Sequence, residues 1–226
     1  MPIVSDPAEG VPADVVFGLG IAEVQADQRH CGIIYRPSEE EVRFLHLAFH
    51  YKLMDEKLND ANCCADSGLA LWCAGSGLAP ESQNVLAALA CNIAEAKPGI
   101  PYAFDMDGNV FDPDTGRLKP GPPGTGLTCA SFVLAVMNTY GFRPIDFSNW
   151  PERAEDEPWQ EKILELMTKT GASEDHLKAV RGTGLNTRFR PEEVVGAAAQ
   201  DEKDWAFDQS KAVELAKEVL EDMGGS

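Results

Sequence analysis

The sequence predicts an α+β fold in which a small antiparallel sheet from the N-terminal half packs on a helix, with further helices outside. Three observations carry this. Residues 42 to 53 alternate in side-chain character with period two. From residue 129, Phe132, Val133, Val136, Met137 and Tyr140 recur at helical spacing. After residue 150, capping residues and apolar stripes repeat with little strand pattern. The chain's 226 residues suffice for one buried domain. It reads as a loose lead-in at 1–13, a core at 14–141 and a helical extension packed on that core at 142–226.

The first strand is expected over Val15 to Val24. Its Gly18-Leu-Gly20 has the first two glycines of a dinucleotide loop, but Glu23 stands where the third belongs, so a nucleotide site is excluded. His30 to Arg36 and Val42 to Leu53 read as two strands of a hairpin turning through Pro37 to Glu41. In the second, Leu45, Leu47, Phe49, Tyr51 and Leu53 alternate with Phe44, His46, Ala48, His50 and Lys52. If Arg36 pairs with Val42, Gly32 faces His46, and His30 lies diagonally beside both His46 and His50. Met54 to Asp66 reads as loop and Leu69 to Cys73 as a third strand.

Pro80 to Ala96 has proline near its start and Val85, Leu86, Leu89 and Ile93 on one stripe, which predicts a helix. Lys97 to Gly126 is rich in Pro and Gly and reads as a long loop. The next helix starts at Cys129, with Thr128 as N-cap and Gly141 as its stop. Beyond it, helices are expected over Glu152 to Thr170, from the Ser173 cap through Val180, from Pro191 to Ala199, and from the Asp208 cap to near Met223. His176 falls on a segment that reads as exposed.

Composition excludes several classes of function. A formal charge of −18 argues against nucleic acid and anionic lipid surfaces as partners. No apolar run approaches the roughly 20 residues of a membrane span. The N-terminus lacks the pattern of a signal peptide, so a cytoplasmic location with reduced cysteines is expected. No cofactor and no metal are expected. Asp105, Asp107 and Asp112 lack the calcium-loop spacing and fit turn chemistry, and the six cysteines form no Cys-x-x-Cys pair.

The chemistry centres on Cys129. A thiol at a helix N-terminus meets unpaired backbone NH groups and the positive end of the helix dipole, which favour the thiolate. A buried cysteine also commonly just fills space, so its partners decide. A catalytic thiol needs a base, and the base needs an orienting group. Histidines on adjacent strands ahead of the cysteine supply both.

Three pieces carry a resemblance: His-x-Gly-Ile-x-Tyr over His30 to Tyr35, His-Leu at His46-Leu47, and Cys-x-x-Phe-Val over Cys129 to Val133. In this order the chain resembles the circularly permuted papain-like group, which includes permuted NlpC-type cysteine peptidases and lecithin:retinol acyltransferase-like proteins. The match covers residues 28 to 53 and 124 to 141. It implies a papain-like fold with Cys129 as nucleophile, His30 as general base and acid, and His46 as the orienting third residue. The hairpin turn is longer than usual in that group, which leaves His50 as an alternative third residue. Thr128 stands where relatives often have Asp or Asn, and the C-terminal helices have no counterpart. The expected activity is hydrolysis of a peptide or amide substrate. An acyltransferase or lipid hydrolase on the same dyad, and a non-catalytic interaction protein, are the competing readings.

Overall fold

A computed structural model describes residues 2–25, 28–59, 61–148 and 150–224. Within them lie a five-stranded antiparallel sheet, a two-stranded ribbon and six α-helices. The sheet strands are β1 (Phe17–Gln25), β2 (Gln28–Ser38), β3 (Glu41–Phe49), β4 (Lys52–Lys57) and β5 (Trp72–Gly75), in spatial order β4-β3-β2-β1-β5. The helices are α1 (Pro80–Ala96), α2 (Cys129–Asn138), α3 (Asp156–Lys169), α4 (Glu174–Gly182), α5 (Pro191–Ala198) and α6 (Gln209–Asp222). None of these helices is long and apolar enough to cross a membrane.

Strand alternation divides the sheet into two unlike faces. Phe17, Leu19, Ile21, Cys31, Ile33, Tyr35, Leu45 and Leu47 join the main core, which α1, α2 and α5 cover. Ala22, Ile34, Phe44 and Cys73 form a second, smaller core under Leu58, Cys64 and Leu71. The main core continues into the C-terminal helices through Ile163, Leu164, Met167, Leu177, Val194 and Val219.

The β2–β3 pairing follows the expected register, with Ile33 opposite Leu45, Ile34 opposite Phe44 and Tyr35 opposite Arg43. Several other expectations are corrected. Residues 42 to 53 are not one strand: β3 ends at Phe49, and a turn at His50 and Tyr51, with Tyr51 at φ 53°, reverses the chain into β4. The first four residues of the supposed loop from Met54 are therefore strand. The lead-in is not loose, because Ser5 pairs with Cys73, Val4 is buried, and the Ile3 backbone NH donates to the Asp222 carboxylate at 2.6 Å. The long loop after α1 contains a ribbon, β6 (Val110–Phe111) with β7 (Leu118–Lys119). The run Leu69 to Cys73 enters the sheet only from Trp72 and lies beside β1.

The glycines of β1 and β2 have a steric reason. A Cβ on Gly20 would lie 2.8 Å from the Phe44 ring, and one on Gly32 would lie 2.6 Å from the His46 Cβ. Bare backbone here is the floor on which Phe44 and His46 rest. The Gly-Leu-Gly run thus serves packing within a strand.

Gly32→Ala is expected to lower unfolding free energy by about 1–3 kcal/mol, since it inserts a methyl group where the neighbours are Cβ and backbone. Chemical denaturation checks this. A variant as stable as the parent would show that β3 can move away from β2 at no cost.

Candidate active site

The site assembles at the junction of α2 with β2, β3 and β4. Thr128 caps α2 in a reciprocal box: its hydroxyl accepts from the Ser131 NH at 3.2 Å, while its own NH donates to the Ser131 hydroxyl at 2.7 Å. Cys129 is therefore the first helical residue, half-buried, its backbone NH among the unpaired donors of the first turn. Cys129 lies near enough to the Cys31 thiol and the His30 imidazole for both to shift its ionisation, and it lines one cleft with His30. Successive residues diverge on a strand, so a thiol near both sits by the beginning of β2.

Behind His30 runs a line of hydrogen bonds. His30 Nε2 lies 2.7 Å from His46 Nδ1, and His46 Nε2 lies 3.0 Å from Glu56 Oε1. The other Glu56 oxygen accepts the Asp66 and Ser67 backbone NH groups at 3.1 and 2.7 Å. Glu56 comes from β4, opposite Phe44 and hence on the same sheet face as His46. His46 stacks on Phe44 with ring centroids 4.6 Å apart, and both His46 and Glu56 are 1% exposed.

These contacts determine where the protons sit. Burial opposes the charge on Glu56, but the donors from His46 and Ser67 outweigh it and hold the carboxyl below its usual range. Burial and the adjacent His30 push His46 down to about 4, against the pull of Glu56, so His46 is neutral at pH 7. A neutral His46 that donates Nε2–H to a carboxylate must accept at Nδ1. His30 then donates from Nε2 and turns its Nδ1 toward the thiol. The Cys31 thiol donates to Cys129 and His30 adds positive charge; together these overcome burial and hold Cys129 well below the ordinary thiol range. The same contact drives Cys31 upward, as does its own burial.

His50 does not join this line. Its Nδ1 accepts the Tyr102 NH at 3.1 Å, and its ring packs on His176 at 4.6 Å. His176, expected to be exposed, instead donates from Nε2 to the Tyr102 carbonyl at 2.9 Å. This histidine pair pins the strap that carries Tyr102 across the site. Asp105 accepts the Asp107 NH within a turn, and Asp112 accepts from Thr115 and pairs with Lys119 at 3.1 Å.

A cleft of about 850 Å³ opens over Cys129, His30 and His46. Tyr102, Trp159 and Arg188 line it together with apolar side chains from β3, β4 and α3. Its size falls in the usual range for small-molecule sites, roughly 300–1,000 Å³. The residues brought together thus include Cys129, His30 and His46. Glu56 and Cys31 are added, neither singled out in the sequence. Glu56 was hidden because its strand read as loop, and the run Leu53-Met54 followed by three charged residues carries no strand alternation. No protein-family model, curated protein or solved structure matches the chain.

Two outcomes are expected of the isolated protein. Cys129 reacts with iodoacetamide ahead of the other cysteines, with a pH midpoint below the ordinary thiol range, as peptide mass mapping would record. Stability falls as pH drops from about 6.5, where His46 titrates when unfolded, to about 4, where it titrates when folded, because the unfolded chain binds the extra proton in that window. The loss attached to His46 is on the order of 3 kcal/mol. His50, also depressed to about 4 by burial and by His176, adds to the slope. His46→Asn should make it shallower, and an equal slope in the variant would exclude His46 as the source.

Proposed function

We propose that the chain is a thiol-dependent hydrolase that cleaves an amide or peptide bond through Cys129, in a papain-like arrangement with permuted order. One observation carries this reading: the hydrogen-bonded line Glu56, His46, His30 ends at a cleft that Cys129 lines together with both histidines. A structural network would not require a thiol of lowered pKa at its wet end.

In the proposed reaction the Cys129 thiolate attacks the carbonyl carbon, and the carbonyl electron pair moves to oxygen. That oxyanion faces the backbone NH groups at the start of α2. The Tyr102 phenol borders the same cleft and feels the charge of Cys129, which pushes its own ionisation upward after burial has done so. It remains a neutral donor suited to the same oxygen. As the tetrahedral adduct collapses, protonated His30 gives its Nδ1 proton to the departing amine, leaving a thioester on Cys129. Water then loses a proton to His30 and attacks the thioester. Release of the acid regenerates the thiolate and the imidazolium. His46 accepts from the far nitrogen of His30 throughout, keeping its ring turned toward sulfur, while Glu56 anchors His46.

A second reading, hydrolysis of an ester or thioester or acyl transfer, is favoured by the apolar part of the cleft. Phe49, Met54, Leu69, Ile163 and Leu166 offer a wall suited to a hydrocarbon acyl group. The strongly negative chain argues against an anionic membrane as the source of that group.

The test compares parent and Cys129→Ala protein on peptide, peptidoglycan-fragment, acyl-thioester and phospholipid substrates. Amide cleavage that depends on Cys129 is expected. Cysteine-dependent release of fatty acid without amide cleavage would select the second reading, and turnover unaffected by Cys129→Ala would sink both. His30→Ala should lower turnover by about 10²–10⁴-fold. Glu56→Gln, which keeps an acceptor for His46 but removes the charge, should cause a smaller loss.

A further inference from the structure

Among the described residues, Arg188 makes no ion pair within the charge network around it. Near the cleft, Arg153 pairs with Glu193, Arg190 with Glu155, and Arg29 approaches Glu192 at 3.8 Å. Asp156 accepts the Arg153 backbone NH at 3.0 Å. Among the described residues, Arg188 alone of these arginines has no carboxylate within 4.0 Å. Its guanidinium carbon instead lies 4.2 Å above the Trp159 ring, on the wall of the cleft that contains Cys129.

The position is prepared rather than incidental. Trp150 Nε1 donates to the Arg188 carbonyl at 3.2 Å, and Gln160 Nε2 donates to the nearby Asn186 carbonyl at 2.7 Å, so the segment is tied to its surroundings at two points. Arg188 also borders the narrow recess formed with Thr128 and Ser131 at the start of α2. Burial disfavours its charge and the neighbouring Arg190 adds to that, while Asp156 and Glu192 act the other way from beyond ion-pair distance; an arginine stays protonated. A desolvated guanidinium stacked on an indole keeps its edge NH groups free for a planar anion.

We propose that Arg188 is the receptor for a carboxylate carried by the substrate of the Cys129 site. A planar group is indicated because the stacked guanidinium offers its NH groups in one plane; Asp66 and Glu192 line the cleft as well, with Arg29 and Lys52. The proposal rests on the hydrolase reading for its chemistry and deepens it. The substrate class is an amide or peptide with a free carboxylate on the same molecule, and Arg188 is its specificity residue.

The test uses bromoacetyl-glycine and bromoacetyl-γ-aminobutyrate as alkylating probes of Cys129, each against its neutral carboxamide and against bromoacetyl-aminomethylphosphonate. At least one carboxylate probe should label the parent faster, relative to its carboxamide, by about tenfold more than it labels Arg188→Met, which keeps the stem on Trp159. Arg188→Lys should keep part of the preference. Equal ratios in parent and Arg188→Met, or a preference for the phosphonate, would overturn the proposal. Binding of N-acetyl-glycine and N-acetyl-γ-aminobutyrate to Cys129→Ala protein, read by tryptophan fluorescence, examines Arg188 without chemistry. Arg188-dependent binding with an inert Cys129 would discard the hydrolase reading and keep the carboxylate site; absence of binding with a reactive Cys129 would do the reverse.

Discussion

The hydrogen bond between His30 and His46 is the contact on which the arrangement of the site depends. Two imidazoles 2.7 Å apart must share one proton between them, and which ring donates is decided by the next side chain in the line. Glu56 decides it. Its carboxylate accepts a hydrogen bond from His46 Nε2–H, leaving His46 Nδ1 to accept from His30 and the other ring nitrogen of His30 for sulfur. A carboxylate this deeply buried would be costly alone, and two backbone NH groups from the segment after β4 offset that cost.

That line of side chains also explains otherwise unrelated features of the sheet. Gly20 and Gly32 carry no side chains because Phe44 and His46 occupy the space above them. Phe44 in turn stacks on His46 and closes it from water, which is why the ring is held neutral. The small second core beneath Phe44 is therefore more than filler: it backs the ring on which His46 stacks. On the other face, α2 is held by a core of large aliphatic side chains, and its capping box fixes where its first NH groups and Cys129 begin.

The charge pattern has a similar division of labour. Around the cleft, arginines pair one by one with carboxylates, Arg153 with Glu193, Arg190 with Glu155 and Arg29 with Glu192. Arg188 is left over, and its ring partner Trp159 comes from α3, an element with no counterpart in the group the motifs resemble. The proposed specificity of the site would thus be supplied by the C-terminal helices, and its chemistry by the N-terminal sheet.

Much of this was legible in the residues because it depends on local pattern. Helix α1 was readable from its proline and apolar stripe, α2 from Thr128 and its apolar run, and the β2–β3 register from alternation, which brought His30 and His46 together. Period two also explains the main failure. It continues through His50 to Leu53 without a break, and only the packing of the His50–Tyr51 turn against Tyr102 and Ile100 shows that the strand reverses there. The reversal creates β4, and β4 delivers Glu56, so the residue that settles the tautomers lay beyond any spacing rule. Cys31 and Arg188 were hidden for the same physical reason. A thiol beside another thiol, and an arginine without a carboxylate, are defined by neighbours distant in the chain. The sequence by itself determined which residue types lie on which local face; the tertiary structure alone decided which charges would be paired, which left single, and which buried.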